Sequence, residues 1–557
     1  MRYLILVPFM VLSLISCHQK QAYDTIIRNG TIYDGTGNQP FVADVAINAD
    51  TIAFIGNLSE AHALHELDAG GKAVAPGFIN MMGHSEETLF QDGRAQSDIR
   101  QGVTTEIFTE SSFGPLNAKM KGQWPAGEGD IKYNVTWNTL GEYMNTLERK
   151  GISCNIASFV GAGTVRQYVI GEADAPPTAA QLDSMRMLVG AAMREGALGL
   201  TCALIYPPDN FAKTDELVAL SKEAAKYGGT YISHIRSEGN QLIAAVQEII
   251  TIAKEAHIPV EICHLKAAGK NNWHKMDSVI QIVEAARKEG IEITANMYTY
   301  TAAATGLTSC FPPTLQDGGF GKLRQRLQQP ATREKMKMAM NSDANDWENL
   351  YYGSGGPDNI LLLQFKQDSL KKYTGKTLSE VAKIRGTTPE ETAMDLIVQD
   401  STRVGVAYFL MDENNVKKEV PLPWVSFGSD EAAYSSEGIF LKSNAHPRAY
   451  GCFARVIGKY TRDEKLMSLQ QAIHKLTTLP SAHSKLPKRG ALTVGNYADV
   501  VIFDPNAVQD HATYDQPHQY ATGVSDVFVN GVQVLKNNQH LGTTPGRFLK
   551  GPGFGHK

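Results

Sequence analysis

The sequence predicts an α/β fold: a (β/α)8 TIM-like barrel with a small β-sandwich domain formed from both chain ends and an inserted lid subdomain. Three observations predict it. The middle of the chain repeats a short apolar strand followed by a helix, both ends are rich in alternating strands, and one long stretch interrupts the repeat. Alternating strand–helix units specify a parallel sheet, and in this number they favour a closed barrel.

The repeat is clearest in the middle of the chain. Residues 230–234, 259–264 and 292–297 are strand-like, and they recur at intervals of about 30 residues, the length of one strand–helix unit. The segment 276–288 carries apolar residues at helical i, i+3, i+4 spacing. This rhythm predicts strands whose carboxyl ends meet at one rim of the barrel.

The domain boundaries follow from where the rhythm starts and stops. We expect the barrel domain over residues 74–480 and the β-sandwich over residues 18–73 and 481–557, where short strands surround turn glycines. The rhythm breaks over residues 301–424, a stretch too long for a loop. It is expected to form an inserted subdomain, or lid, over the barrel mouth.

The N-terminus has the pattern of an export signal. Arg2 precedes an apolar run over residues 3–15 that is short for a membrane span, and a small residue stands before Cys17. This resembles the lipobox of bacterial lipoproteins, in which Cys17 is lipidated after residues 1–16 are removed. The alternative is an ordinary signal peptide with an incidental Cys17. We expect a cell-envelope lipoprotein, periplasmic or outer-membrane associated, that meets the membrane only through its lipid anchor.

Composition excludes two other classes of protein. The chain has 53 basic and 58 acidic residues, a net charge of −5, so nothing indicates the basic face that nucleic-acid binding requires. Beyond Cys17 an odd number of widely spaced cysteines remains, with no CxxC motif. A disulfide framework is therefore not expected, and these cysteines are predicted to be buried thiols.

Polar residues that can carry chemistry stand at the ends of apolar strands. His234 and His264 each end a strand, and Asp430 ends the last one. Because side chains converge at the carboxyl rim of a barrel, two imidazoles there can share a divalent metal. A facing carboxylate can take a proton from water and return it to a leaving group. Each histidine alone is more often a structural residue, but two with an acid favour a metal-dependent site.

These residues stand in motifs that resemble a known family. The runs SHIRSE (233–238), CHLK (263–266), GSD (428–430) and HPR (446–448) occur in this order in the D-aminoacylases, or N-acyl-D-amino-acid deacylases, of the metal-dependent amidohydrolase superfamily. PGFIN (76–80) is similar to the family's first barrel strand. The resemblance covers nearly the whole chain after the signal segment.

The resemblance implies a role for each matching residue. His234 and His264 would be zinc ligands, Asp430 the catalytic acid/base, and Lys266, Tyr298 and Arg448 would bind the substrate's carboxylate or scissile carbonyl. A guanidinium fork and a lysine charge suit a free carboxylate. Two alternatives stay open: Arg448 could pair with an acid such as Glu437, and Lys266 and Tyr298 could line the rim for packing.

Two positions depart from the family's pattern. The superfamily's first-strand His-x-His pair is Met82-Gly83-His84 here, and a thioether is a poor zinc ligand. The family's cysteine after strand two falls at Ser111, a weak ligand, whereas the adjacent Glu110 offers a carboxylate.

We therefore expect one zinc ion held by Glu110, His234 and His264, and a second, weaker site remains open. The alternative for Glu110 is a rim salt bridge. His84 and Ser111 would lie behind the ligands or face the substrate.

The resemblance implies hydrolysis of the amide bond of N-acyl-D-amino acids to a carboxylic acid and a free D-amino acid. The substrate would be a small N-acyl amino acid or peptide-like molecule. One alternative is another amidohydrolase, a dipeptidase or a cyclic amidase of the dihydropyrimidinase type. Those relatives commonly bridge two metals with a lysine, and residues 198–204 contain none. The other is a catalytically inactive binding lipoprotein, for which Met82 and Ser111 are the signs.

Overall fold

The computed structural model describes residues 22–123 and 129–556. The predicted signal peptide and lipobox, residues 1–17, lie outside the described residues. Among the described residues no helix combines the length and the apolar character that crossing a membrane requires. The five cysteines of the described ranges are buried and form no disulfide, as predicted.

Eight parallel strand segments form the barrel. Neighbours pair in chain order from the first to the last, and the backbone of Gly83 bridges to that of Glu431, which joins the last strand back to the first. This confirms the predicted barrel. The strands are Phe78–Gly83, Val103–Phe108, Asn155–Ser158 continuing into Val160–Gly161, Gly199–Ala203, Thr230–His234, Val260–Ile262, Ile293–Met297 and Val425–Phe427.

Helices surround the barrel, and local sequence fixes their ends. Ala179–Glu195 begins at a Thr178 capping box and ends at Gly196, whose left-handed conformation suits glycine. Leu242–Ala256 buries an apolar face made of Leu242, Val246, Ile249 and Ile252 against the barrel.

The α-helices that precede the insertion are Thr88–Gln91, Gln96–Ile99, Ala118–Gln123, Leu140–Lys150, Ala162–Val169, Ala179–Glu195, Thr214–Ala225, Leu242–Ala256 and Met276–Lys288. The helix Glu413–Glu419 lies at the end of the predicted insertion, just before the last barrel strand. Those after that strand are Arg448–Arg455, which continues as the π-helix Val456–Asp463, Leu469–Leu476 and Thr478–His483.

Strands from both chain ends form one nine-stranded sheet. The pairing of Val500–Phe503 with Ala73–Pro76 joins the two ends of the chain. Its strands are Ala22–Ile32, Phe41–Asn48, Thr51–Gly56, His62–Asp68, Ala73–Pro76, Val500–Phe503, Val524–Val529, Val532–Lys536 and Gln539–His540.

The stretch between the last two barrel strands has its own sheet and its own hydrophobic core. Three antiparallel strands, Ala302–Gly306, Gly405–Phe409 and Ile360–Gln364, pair in that order. The core beside them includes Leu323, Leu362 and Ile397, all fully buried. Its helices are Phe320–Leu327, Pro330–Met340, Leu350–Gly353, Leu378–Arg385 and Pro389–Asp400. The predicted domain boundaries themselves stay predictions.

Candidate active site

One cavity of about 470 Å³ at the carboxyl ends of the barrel strands contains every residue singled out in the sequence for a role in metal or substrate binding and catalysis. Strand ends and the segments after them supply its floor, and the strand Ala302–Gly306 supplies part of its wall. The residues are Asp430, Glu110, His234, His264, Lys266, Tyr298, Arg448, His84 and Ser111.

Glu110, His234 and His264 converge on one point. Oε1 of Glu110 lies 2.9 Å from Nδ1 of His234 and 2.9 Å from Nε2 of His264. The two imidazole rings meet edge to face with their centroids 4.3 Å apart. The Glu110 carboxylate therefore faces both histidines, so the donor atoms of all three residues surround one point.

The Glu238 carboxylate lies behind the two histidines. Its Oε1 is 2.9 Å from Nδ1 of His264 and its Oε2 is 3.7 Å from Nε2 of His234, so it faces the ring nitrogens that point away from Glu110. A carboxylate in this position fixes the tautomer and the orientation of a metal-binding imidazole. Sequence reasoning missed Glu238, although it stands four residues after His234 in the SHIRSE run.

Asp430 contacts two basic side chains, His84 and Arg448. Its Oδ1 lies 3.1 Å from Nε2 of His84, and its Oδ2 lies 2.7 Å from a guanidinium nitrogen of Arg448. The open question about Arg448 is thereby answered in part, because its acidic partner is Asp430, whereas Glu437 pairs with Arg94. Nε2 of His84 is also 3.9 Å from Oε2 of Glu110. Glu110 therefore faces His84 as well as His234 and His264.

The charges of the site set the protonation of its acids. Burial by itself raises the pKa of Asp430, but Arg448, His264 and His84 outweigh it and hold the pKa below its ordinary value. Burial likewise raises the pKa of Glu110, and its hydrogen bonds to His234 and His264 hold that pKa well below its usual range. Both carboxylates are ionised at neutral pH.

The pKa values of His84 and His264 are shifted upward. Burial lowers the pKa of His84, yet Asp430, Glu86 and Glu110 raise it to about 9. Burial and Lys266 lower the pKa of His264, and the carboxylates of Glu238, Asp430 and Glu110 raise it to about 9. A metal cation that displaces these protons would balance the neighbouring carboxylates in their place.

Lys266 and Tyr298 complete the wall next to His264. Nζ of Lys266 lies 2.5 Å from Oε1 of Glu238 and 2.7 Å from Nδ1 of His264. The Tyr298 ring lies under the Arg448 guanidinium at 4.4 Å, and its hydroxyl donates to the sulfur of Met411 at 3.4 Å. Both side chains are buried, and both line the cavity.

The two departures from the family's pattern have different surroundings. Met82 is fully buried in an apolar cluster with Ile107 and Ile232, so its thioether belongs to the barrel interior. Ser111 is exposed and lines the cavity. Neither position supplies a ligand to the group formed by Glu110, His234 and His264.

The geometry and donor types fit a zinc ion. The ligand atoms of Glu110, His234 and His264 lie within 4.8 Å of one another, and zinc favours imidazole nitrogen and carboxylate oxygen at such sites. A second group, formed by His84, Glu110 and Asp430, meets the same limit. Three protein ligands with one open position are typical of a catalytic zinc site.

The chain is similar to known amidohydrolases in sequence and in structure. The sequence model of the Amidohydrolase family matches residues 65–329 and 374–535. The chain is 29% identical to the D-aminoacylase of Alcaligenes xylosoxydans xylosoxydans over 95% of this chain and 98% of that protein.

Two solved structures are also similar. The N-acyl-D-glutamate deacylase of Bordetella bronchiseptica, complexed with zinc and a phosphonate mimic of the tetrahedral intermediate, has a TM-score of 0.78 and 29% identity over 95% of this chain and all of that one. A D-aminoacylase structure that concerns a binuclear metal centre, with one-metal activation and second-metal attenuation, has the same TM-score and 28% identity over the same shares of the two chains.

Proposed function

The chain belongs to the amidohydrolase family, and on that premise we propose that it hydrolyses the amide bond of N-acyl-D-amino acids, releasing a carboxylic acid and a free D-amino acid. One observation carries the proposal. A single cavity brings a nitrogen- and oxygen-donor group, an ionised carboxylate and two cationic side chains together. These are the parts that hydrolysis of an amide with a free carboxylate requires.

Zinc would be held by Glu110, His234 and His264, and when bound it supplies Lewis-acid polarisation of the amide carbonyl. Asp430 is the base: it accepts a proton from the attacking water and then delivers that proton to the nitrogen of the leaving amine. Arg448 keeps Asp430 ionised, and the contact of His84 with Oδ1 fixes the orientation of the carboxylate.

The substrate's carboxylate binds at the cationic wall. Arg448, Lys266 and Tyr298 line the cavity beside the ligand group. Arg448 and Lys266 are already paired with Asp430 and Glu238, which holds their charges in place before the substrate arrives. Preorganised charges of this kind bind and orient a carboxylate without first being desolvated by it.

We further propose that one tightly bound zinc is sufficient for the reaction. His84 and Asp430, with the second oxygen of Glu110, offer a weaker position, because Met82 supplies no second imidazole and Arg448 already balances Asp430. Zinc content measured after dialysis tests this: about one ion per chain supports it, and two tightly held ions contradict it.

The preference for D-substrates is supported by what the similar proteins act on. Purified zinc-loaded protein from residue 18 onward should release free amino acid from N-acetyl-D-amino acids and much less from the L enantiomers. A matched Asp430→Asn variant should release neither. Zinc-bound protein that cleaves dipeptides or cyclic amides instead would favour the alternative amidohydrolase activities. Absence of turnover on all three substrate classes would indicate an inactive binding protein.

We propose that the protein acts in the cell envelope as a lipoprotein anchored through Cys17. The motif that ends at Cys17 supports this. Expressed with its own leader in a bacterium, the protein should fractionate with membranes, incorporate labelled palmitate, and lose both properties in Cys17→Ala. Recovery of the wild type without label, in the cytoplasmic fraction, would contradict the proposal.

A further inference from the structure

We propose that three interior side chains, Asn80, Thr201 and Asn296, are positioning residues that hold the strained backbone of the site from below. None of the residues of this supporting layer (Asn80, Thr201 and Asn296) lines the cavity. Each member accepts a hydrogen bond from the backbone that follows another barrel strand. The inference rests on the proposed function for its kinetic consequences, and its first test does not require turnover.

Three site residues adopt left-handed backbone conformations without being glycine. The φ angles are 67° at Glu110, 33° at His264 and 51° at Asp430. Such conformations are unfavourable for residues with a Cβ and persist only where the surroundings enforce them. All three residues follow the end of a barrel strand, where the regular ladder no longer holds the backbone.

Thr201 holds the metal-ligand carboxylate. Its hydroxyl, on the strand Gly199–Ala203, accepts a hydrogen bond of 2.8 Å from the backbone N–H of Glu110. Thr201 is fully buried, so water does not replace this contact. The bond fixes the turn that aims the Glu110 carboxylate at the two histidines.

Asn296 does the same for His264. Its Oδ1 accepts a hydrogen bond of 2.8 Å from the backbone N–H of His264, and its Nδ2 donates to Oε1 of Glu261 at 2.7 Å. The first bond fixes which way the amide faces, because a backbone N–H can only donate and must therefore face the amide oxygen. The backbone of His264 is therefore held by Asn296, whose own side chain is held by Glu261.

Asn80 supports Asp430 through its neighbour. Its Oδ1 accepts from the backbone N–H of Ser429 at 2.9 Å, and its Nδ2 donates to the hydroxyl of Ser429 at 2.8 Å. The backbone N–H of Asp430 then donates to the carbonyl of Met82 at 2.9 Å. Two residues of the first barrel strand, Asn80 and Met82, thus hold the backbone at Ser429 and Asp430 after the last strand.

A simple need to satisfy buried N–H groups would also place acceptors here. That role alone predicts a loss of stability and nothing specific to the site. The positioning role predicts more: Thr201 should affect zinc affinity, because it holds a ligand, whereas Asn80 should affect kcat, because it holds the base.

Thr201→Val is the first test, since it removes the hydroxyl and keeps the shape. We expect the zinc dissociation constant, measured by competition with a chromophoric chelator, to rise about 10-fold or more, as for other residues that orient metal ligands. Thr201→Ser should restore it.

Thr230→Val is the matched control. Thr230 is equally buried in the next strand, and its hydroxyl has no hydrogen-bond partner among the described residues, so zinc affinity should not change. Equal zinc affinity in Thr201→Val and the wild type would overturn the proposal for Thr201. This comparison decides the matter whether or not the protein turns over any N-acyl-D-amino acid.

Asn80→Leu is the second test. It should lower kcat about 10- to 100-fold with zinc affinity unchanged, and move the acidic limb of the kcat profile, because Asp430 shifts relative to Arg448. If that variant does not fold, Ser429→Ala removes the hydroxyl that Asn80 binds and should lower kcat by a smaller factor. A folded variant with unchanged kcat and an unchanged pH profile would overturn the proposal for Asn80.

Discussion

The two halves of the site use acidic side chains in opposite ways. On the ligand side, Glu110 faces the imidazoles of His234 and His264, and no lysine or arginine of the described residues forms an ion pair with it. On the acid side, Asp430 is paired with the Arg448 guanidinium and contacts His84. A carboxylate that faces imidazoles suits a cation that takes the place of their protons, whereas one already balanced by arginine suits proton transfer. The same residue type therefore serves two purposes because of what lies beside it.

The largest expected effect comes from removing the base on the acid side. Asp430→Asn should lower kcat by about 10²- to 10⁴-fold, the usual contribution of a general base, because the amide cannot accept the proton of water. Zinc content should stay at the wild-type level. Loss of zinc together with activity would show that Asp430 is a metal ligand and would contradict the distinction drawn between Glu110 and Asp430.

Removing a ligand should have the opposite signature. Glu110→Gln keeps the shape but replaces the anionic ligand, so zinc affinity should fall by more than about 100-fold, beyond the 10- to 100-fold cost of disturbing a residue behind the ligands. High zinc should restore part of the activity. The measurement is kcat against free zinc concentration, and zinc affinity equal to that of the wild type would contradict the assignment of Glu110.

Arg448→Met tests whether Arg448 sets the charge state of Asp430. Arg448 lowers the pKa of Asp430, so its removal should raise that pKa, and the acidic limb of kcat/KM should move to higher pH because the base must be ionised. KM should also rise by about 10- to 100-fold, the worth of a charge-assisted hydrogen bond to the substrate's carboxylate. A pH profile that stays in place would show that Arg448 does not set the charge state of Asp430.

The smallest effect on catalysis is expected in the terminal sheet. Arg489 is buried, pairs with Asp499 and donates to Oδ1 of Asn530 at 2.8 Å, and none of these three residues lines the cavity. Arg489→Met leaves Asp499 without its partner and should lower the free energy of unfolding by about 3–5 kcal/mol. The kcat of the folded fraction should not change. Thermal unfolding and kcat measured on one preparation separate structural ion pairs from those of the site.

Much of the fold and part of the site could be predicted from the sequence. The barrel follows from strand–helix periodicity, and His234, His264 and Asp430 are recognisable because each follows an apolar strand. Local pattern fixes these features. It does not fix which distant side chains meet around them.

The partners of the site residues are set by the closed barrel. Asp430 meets His84 across 346 positions, and Ser429 meets Asn80 across 349, because the first and last strands adjoin only when the barrel closes. The pairing of Arg448 with Asp430, rather than with Glu437, likewise depends on how the helix Arg448–Arg455 sits over the last strand. Glu238 was closer to prediction, since its position in the SHIRSE run places it beside His234.

The central claim is that one zinc, held by Glu110, His234 and His264, supports hydrolysis with Asp430 as base. Its most direct test is to titrate metal-free protein with zinc while measuring the release of free amino acid from an N-acetyl-D-amino acid. We expect activity to rise linearly and to reach its maximum at about one equivalent, the number of complete three-ligand sites with an open position. Activity that appears only as the second equivalent is added would contradict it.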